Sequence, residues 1–470
     1  MLLQPGLKWV LNRCFEAEPT WTHDPKIKTI IKLARRHLRL NDDDVCTADY
    51  YMQGAFNKIY LIRCPRGGAN EQSFAFRVSL PVDPGFKVSS DVATMNFVRD
   101  HTDAPIPRVL AFNPSHQNEL GFAWTIMEMM PGKPLCEQWR FMTWKQKEDL
   151  VKKVAEILAQ MFRHKFFGIG NLYQIADASP HKKIHHPIKR SLDSATNAST
   201  AALPAVTQST QSQPIDGVRK NWLLPTYEVG RIVSMSFLWH NRVHFDVYRG
   251  PFSCSHDWLA ARLDLVIRDS DATLSEPAKD QQHKVFANKY SSIAKRLRKQ
   301  LRNFFPPNGS CEGGVTSEIT ALHHYDTSGY NVLVDEEGSL TALLDWDGVS
   351  TVPLWKACEM PEFLMSRFID EIGDDKRACI DGDCIGSQIS KDEAISLEKM
   401  QLRTAFLVEM ERIEPDWAQI HRTSAILADF EAAVHLCDSL FRSDVVDEWL
   451  HDIEQGKEYW SLCERPLSGK

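Results

Sequence analysis

The sequence predicts an α+β fold in two lobes, a small β-rich N-lobe followed by a larger, mainly helical C-lobe. Three observations predict it. Between Cys46 and Met129 the pattern runs strand, strand, helix, strand, strand. From Leu150 onward apolar residues recur with helical period. Within that helical half, one stretch reads LHHYDTSGYNVLVDEEGSLTALLDWDGV from Leu322 to Val349, two short apolar runs around an acidic glycine turn.

Composition narrows the function classes. A chain of 470 residues is long enough for two or three domains, or for one two-lobed enzyme with insertions. A net charge of -7 argues against a nucleic-acid partner, whose footprint is a basic excess. Eleven cysteines are scattered with no CxxC pair, which indicates neither a zinc ribbon nor a disulfide framework and fits a reducing compartment. No run of 18 apolar residues exists, so no membrane-spanning helix is expected. The first residues, MLLQPGLKWVLNRCF, carry two bases and faintly resemble a mitochondrial presequence, but Glu16 and Glu18 follow at once. The expected location is therefore cytoplasmic.

In chain order, residues 1–44 read as a docking segment. Asp24 and Pro25 suit an N-cap and first helical position, and Ile27, Ile30, Ile31, Ala34 and Leu38 line one helical face. Residues 45–130 form the N-lobe. Phe56–Cys64 and Ser73–Leu80 read as strands, Ser89–His101 as a helix, and Arg108–Phe112 and Phe122–Met129 as two more strands. Residues 131–470 form the C-lobe. Leu150, Val151, Val154, Ile157, Leu158, Met161 and Phe162 mark a core helix. Residues 177–214, rich in Ser, Thr, Ala, Pro and Gln, lack the apolar surface to offset ordering and are expected to be a disordered insertion. His181, His185 and His186 near its start have no matching second ligand cluster and read as a solvated loop. Ser255–Arg268 and Tyr290–Phe304 are helices, the latter's bases a solvated face. Residues 370–390 read as a loop, and Glu393–Ile413 and Trp417–Leu440 as two long closing helices.

The chemistry concentrates in the stretch quoted above. Phosphoryl transfer needs a carboxylate beside the acceptor hydroxyl and oxygen ligands that hold Mg²⁺ against phosphates. Asp326, in His324-x-Asp326, stands where a base would stand. Asn331 opens the run Val332-Leu333-Val334, Glu336-Glu337-Gly338 is a turn, and Asp345 follows the run Thr341–Leu344, so a hairpin brings Asn331 and Asp345 to one open end. Their oxygens suit a hard cation. In the N-lobe, Gly54 lies in the turn before the first predicted strand, where backbone amides can approach phosphate, and Lys58 adds charge. Taken alone, a glycine there is an ordinary hairpin turn.

These residues resemble the catalytic core of the aminoglycoside phosphotransferase and choline kinase-like family, small-molecule kinases related in fold to protein kinases. QGAFNKIYLI, FAFRVSLPVDPGFKVSSDVATMNFVRDHTDAPIPRVLAF, NELGFAWTIMEMMPGKPL, VGRIVSMSFLW, RGPFSCSHDWLAARL and PLWKACEMPEFL resemble its fungal branch. The resemblance implies a two-lobed protein-kinase-like fold, ATP and Mg²⁺ as cofactors, and transfer of the terminal phosphate to a hydroxyl of a small-molecule acceptor. It further implies that Arg77 grips nucleotide phosphates and pairs with Asp91, which stands where relatives usually have glutamate. Glu128 to Gly132, with Met130, would form the interlobe hinge whose backbone meets adenine. Asp347 would touch metal or substrate, or else cap the next helix. Relatives have a small or acidic residue where this chain has Tyr325 and an apolar anchor where it has Thr327, which is expected to secure the loop less well. Two rival readings stand beside the kinase: a weak or inactive nucleotide-binding scaffold of the same fold, and a protein kinase. The second ranks lower because GxGxxG, DFG and APE segments are missing.

Overall fold

The computed structural model describes residues 5–11, 17–65, 71–175, 227–277, 279–307, 317–365 and 385–465. The expected insertion at 177–214, with His181, His185 and His186, lies outside them. The architecture is α+β in two lobes, as the sequence predicts.

Ahead of the N-lobe sheet come a hairpin, β1 (Leu7–Leu11) and β2 (Ala17–Trp21), and a helix, α1 (Ile27–His37). Asp24 is not the N-cap expected of it. Lys26 holds that position in an extended conformation without a side-chain cap, and the Asp24 carboxylate is drawn away by an ion pair with Lys58. Five strands follow: β3 (Thr47–Gln53), β4 (Asn57–Pro65), β5 (Glu71–Ser79), β6 (Val109–Asn113) and β7 (Ala123–Glu128). They form an antiparallel sheet ordered β3-β4-β5-β7-β6. Strand β3 is not marked by the sequence pattern: it buries only Ala48, so its neighbours are not constrained to the inward-facing repeat of a half-buried strand. Helix α2 (Phe86–His101) connects β5 to β6 and starts three residues earlier than expected, which brings Lys87 into its first turn.

The C-lobe hangs from α4 (Trp144–Arg163), which follows a short strand β8 (Lys133–Pro134) and a short helix α3 (Leu135–Gln138). Thr143 and Gln146 close a reciprocal capping box at its start, satisfying two N–H groups that would otherwise lack acceptors. The remaining elements are β9 (Lys165–Phe167), β10 (Asn171–Gln174), β11 (Tyr227–Gly230), α5 (Met235–Leu238), α6 (Ser255–Ser275) and α7 (Gln281–Phe304). Helix α7 starts nine residues before the expected Tyr290; Asp280 caps it through the His283 amide, and its polar first half gives no apolar period.

The stretch from Leu322 to Val349 and its flanks form β12 (Ile319–His323), β13 (Val332–Val334), β14 (Leu340–Leu343) and β15 (Ser350–Pro353). Strands β13 and β14 make the expected hairpin, and β8 adds a third strand beside β13. Two short helices follow, α8 (Leu354–Ala357) and α9 (Glu362–Met365). Next come α10 (Ile385–Ile413), α11 (Pro415–Thr423), α12 (Ala425–Leu436) and α13 (Ser443–Glu454). The predicted loop at 370–390 is therefore helical from Ile385, and the predicted helix Trp417–Leu440 is broken at Ser424. There the Thr423 and Ser424 hydroxyls donate to carbonyls of the preceding turn, Ser424 to Ile420 at 2.6 Å, a local competition that bends helices.

The linker between lobes is pinned to the β13–β14 hairpin. Gly132 has φ +103°, and a Cβ there would stand 2.3 Å from Thr341 Oγ1 and 2.8 Å from the Val334 carbonyl oxygen. Thr341 meanwhile donates to the Pro131 carbonyl at 2.7 Å. Gly132→Ala is expected to cost about 2 kcal/mol or more through backbone strain and crowding. A fall in the urea midpoint at unchanged m-value checks this.

Candidate active site

His324 anchors the loop after β12. It is 4% exposed, and its Nε2 lies 3.0 Å from the Leu344 carbonyl, where the nitrogen donates. Burial holds the imidazole down at about 4, so it is neutral and structural. Asn331, at the entry to β13, donates from Nδ2 to the Asp326 carbonyl at 3.1 Å, and its own carbonyl accepts from the Leu344 amide at 2.8 Å. One hairpin end thus fixes Asp326, Asn331 and Asp345 relative to each other. Asp345 adopts φ 57°, left-handed backbone that a non-glycine residue rarely occupies and that tertiary structure must hold.

Thr327 corrects the expectation of a poorly secured loop. It is 3% exposed, its Oγ1 accepts from the Glu362 amide at 2.9 Å, and its carbonyl accepts from the Phe363 amide at 3.0 Å. Two hydrogen bonds to α9 replace apolar burial. Tyr325 is half-exposed, and its hydroxyl donates to the Asp347 carbonyl at 3.0 Å.

Across from the hairpin, β5 and α2 supply cations. Arg77 donates from Nη1 to Asp347 at 2.5 Å and from Nη2 to Asp91 at 3.2 Å. Lys87, one helical turn before Asp91, pairs with Asp91 at 3.3 Å and also with Asp347. Asn57 donates to Asp347 at 2.6 Å and accepts from Ser79 at 2.7 Å. Burial opposes charge on Asp347, but Arg77 and Lys87 hold its carboxyl far below the usual range. Asp91 moves the other way, pushed up by complete burial and by the Asp347 charge. Asp345 is also pushed up, by desolvation and then Asp347, while Lys87 and Arg77 oppose the shift and Asp326 adds to it. Its side chain keeps solvent contact, which tempers the burial effect. Asp345 therefore lies within electrostatic reach of both Asp326, on the loop after β12, and the cation pair.

The structure brings Asp326, Asn331, Asp345, Arg77 and Asp91 together, and it separates Lys58 from them. Lys58 pairs across the sheet with Val78, whereas Ile59 pairs with Arg77, and side chains alternate faces along a strand. Lys58 is thus on the face opposite Arg77, against the Trp21 ring and Asp24. Its phosphate role is corrected on that ground. Gly54 sits in the β3–β4 turn with its amide donating to the Asn57 carbonyl at 2.9 Å. Glu128 ends β7 and pairs with Arg108 at 3.1 Å, and Met130 follows in the linker.

Three residues of the cluster are not fixed by the sequence pattern. Asn57 shares a strand face with Arg77 and Ser79, a relation that register alone reveals. Lys87 is one helical turn from Asp91, a signal lost by starting the helix at Ser89. Asp347 caps no helix, since Pro353 precedes α8.

The donors fit a hard divalent cation: Asn331 has its amide nitrogen engaged, which turns its carbonyl oxygen to the role of ligand, and Asp345 is a carboxylate under repulsion. Among the described residues no group of three His, Cys, Asp or Glu side chains is arranged to hold a metal. Mg²⁺ does not require one, because it takes one or two carboxylates with water and phosphate completing its shell. No helix of the described residues is long and apolar enough to cross a membrane.

Comparison with known proteins places relatives in fungi. No family model matches the chain. A subtelomeric hrmA-associated cluster protein of Aspergillus fumigatus is 28% identical over 127 residues, 27% of this chain. The chain spans about a quarter (24%) of that relative's length. The altered inheritance of mitochondria protein 9, mitochondrial, of Eremothecium gossypii is 22% identical over 320 residues, 64% of this chain and 48% of that protein. Relatives under the same name occur in Meyerozyma guilliermondii and other yeasts. That name points to mitochondria and overturns the expected cytoplasmic location. Among solved structures, an aminoglycoside phosphotransferase in ternary complex with AMP-PNP and hygromycin B aligns at TM-score 0.37 and 12% identity, covering 91% of this chain and 92% of the other. Another, ADP-bound, aligns at 0.37 and 12%, covering 86% and 96%.

Proposed function

We propose that this protein is an ATP- and Mg²⁺-dependent phosphotransferase whose acceptor is a hydroxyl of a small molecule. The observation that carries the reading is the convergence of Asp326, Asn331 and Asp345 at one hairpin end, opposite the Arg77–Asp91 pair. Asp326 would orient and deprotonate the acceptor hydroxyl. Asn331 and Asp345 would hold Mg²⁺, which when bound neutralises charge on the phosphates. Arg77 would steady the phosphates as a planar fork, and Asp91 would aim Arg77. The Glu128–Met130 backbone would meet the base, and the Gly54 turn would cover the phosphates.

The scaffold reading keeps one observation in its favour, since Arg77 is already occupied by Asp347 and Asp91. Asp345→Ala decides whether a metal-dependent nucleotide site exists. ADP binding to the wild type is expected to tighten on adding Mg²⁺, and in the variant that tightening is expected to fall by about tenfold or more. Calorimetric titration with and without Mg²⁺ measures it, and an unchanged Mg²⁺ effect in Asp345→Ala refutes the metal assignment. ATP consumption against a panel of hydroxyl compounds then separates kinase from scaffold.

A further inference from the structure

The cation pair facing the hairpin has more donors than its internal partners use. Arg77 is 5% exposed and Lys87 3% exposed. Both are satisfied by the same two carboxylates, Asp91 and Asp347. Yet Arg77 Nε, fully buried, has no hydrogen-bond partner among the described residues. A buried donor left without an acceptor is costly, so this cluster is one acceptor short of a complete set.

The two carboxylates are not equivalent. Asp91 is 0% exposed, rides on α2, and makes longer contacts: 3.2 Å to Arg77, 3.3 Å to Lys87 and 3.4 Å from the Gly348 amide. It is the fixed base of the cluster. Asp347 makes the tighter contacts, including 2.5 Å to Arg77 and 2.6 Å from Asn57, but rides on a loop. That loop has left-handed backbone on either side, Asp345 at φ 57° and Gly348 at φ 71°. Asp347 is therefore the anion that a backbone change can withdraw, while Asp91 stays with its helix.

We propose that Lys87 and Arg77 form a two-cation phosphate clamp whose resting occupant is the Asp347 carboxylate, and that nucleotide phosphates compete with Asp347 for it. The inference rests on the nucleotide-site reading above and adds Lys87 as a phosphate-binding residue. A carboxylate offers two oxygens, and Asp347 spends them on Arg77 Nη1, Lys87 and Asn57. A diphosphate offers more oxygens and more charge, enough to engage a guanidinium fork and an ammonium together. Lysine this deeply buried needs anions around it. Asp347 supplies one whenever no phosphate does, which keeps both cations paired.

Binding in the absence of metal isolates the clamp from Asn331 and Asp345. Dissociation constants for ADP and for adenosine are measured by calorimetry on the full chain in EDTA, with circular dichroism confirming the fold of each variant. Asp347→Asn is expected to tighten ADP by about tenfold and leave adenosine unchanged, because a competing anion is gone while the side-chain shape stays. Asp347→Ser, a second route to the same charge removal, is expected to do likewise. Adding Lys87→Gln to Asp347→Asn is expected to abolish the gain, and Lys87→Arg in that background to restore it. The proposal is overturned if ADP binds the wild type but neither Asp347 variant binds it more tightly, or if the gain survives Lys87→Gln. If neither wild type nor variants bind ADP with or without Mg²⁺, the nucleotide-site reading itself falls and takes the clamp with it.

Discussion

Asp326→Asn is expected to lower turnover by about a thousandfold while leaving nucleotide affinity unchanged, the size of effect seen when a positioned general base is removed. Asparagine keeps the shape of the side chain but cannot accept the acceptor's proton. The loop itself does not depend on the carboxylate. Asn331 bonds to the backbone carbonyl of residue 326, His324 to the Leu344 carbonyl, and Thr327 to α9, so all three anchors survive the substitution. Turnover is read as ADP release with whichever hydroxyl compound in a metabolite panel stimulates it, and affinity by calorimetry with ADP and Mg²⁺. A variant with wild-type turnover removes Asp326 from the chemistry. A variant that loses nucleotide binding as well shows that Asp326 serves the nucleotide and not the acceptor.

Glu431→Ala is expected to destabilise the C-lobe by about 3–5 kcal/mol, the cost of breaking a buried ion pair by removing one partner. Glu431, on α12, is 6% exposed and pairs with Arg262 of α6 and, at 2.8 Å, with Lys356 of α8. Lys356 also pairs with Glu359 at 2.8 Å, and Glu359 lies 3.4 Å from His323 at the end of β12. Alanine strips the buried Arg262 of its acceptor, and Arg262 Nε already lacks one among the described residues. The pH dependence follows the same charges. Burial opposes ionisation of Glu431, but Lys356 and Arg262 win and hold its carboxyl well below the ordinary value. A carboxyl lowered by folding adds stability above its unfolded pKa of about 4.3, and that stability is lost as pH falls below it. Urea midpoints of the wild type are therefore expected to fall more steeply below about pH 4 than those of Glu431→Gln. Parallel curves for the two proteins would show that this carboxylate is not linked to folding.

Much of this architecture is written locally. The hairpin Val332–Leu343, the core helix Trp144–Arg163 and the four strands flanking Arg77 and Glu128 all declare themselves, because a half-buried strand or helix must repeat its apolar residues with the period of its backbone. What failed to declare itself was exposed or broken by local competition. Strand β3 is exposed at six of its seven positions, the first half of α7 is polar, and hydroxyls at Thr423 and Ser424 divide a helix that periodicity alone would continue. At the site, Asp326, Asn331 and Asp345 were legible because one hairpin of short range holds them.

The cations across from them were another matter. Arg77 and Asp91 could be paired from their elements, but Lys58 was drawn toward the phosphates on proximity in sequence and the structure turns it to the opposite face, one residue from Asn57, which does reach the cluster. Lys87 and Asp347, separated by 260 positions in the chain, meet only when α2 packs behind the sheet and the loop after β14 closes against it. The sequence by itself determined which residues carry oxygen and charge and which elements present them, since propensity and period act over a few residues. Only the tertiary structure decided which cation meets which carboxylate, because strand register and helix docking bring together groups whose attraction acts through space and leaves no trace in their local sequence.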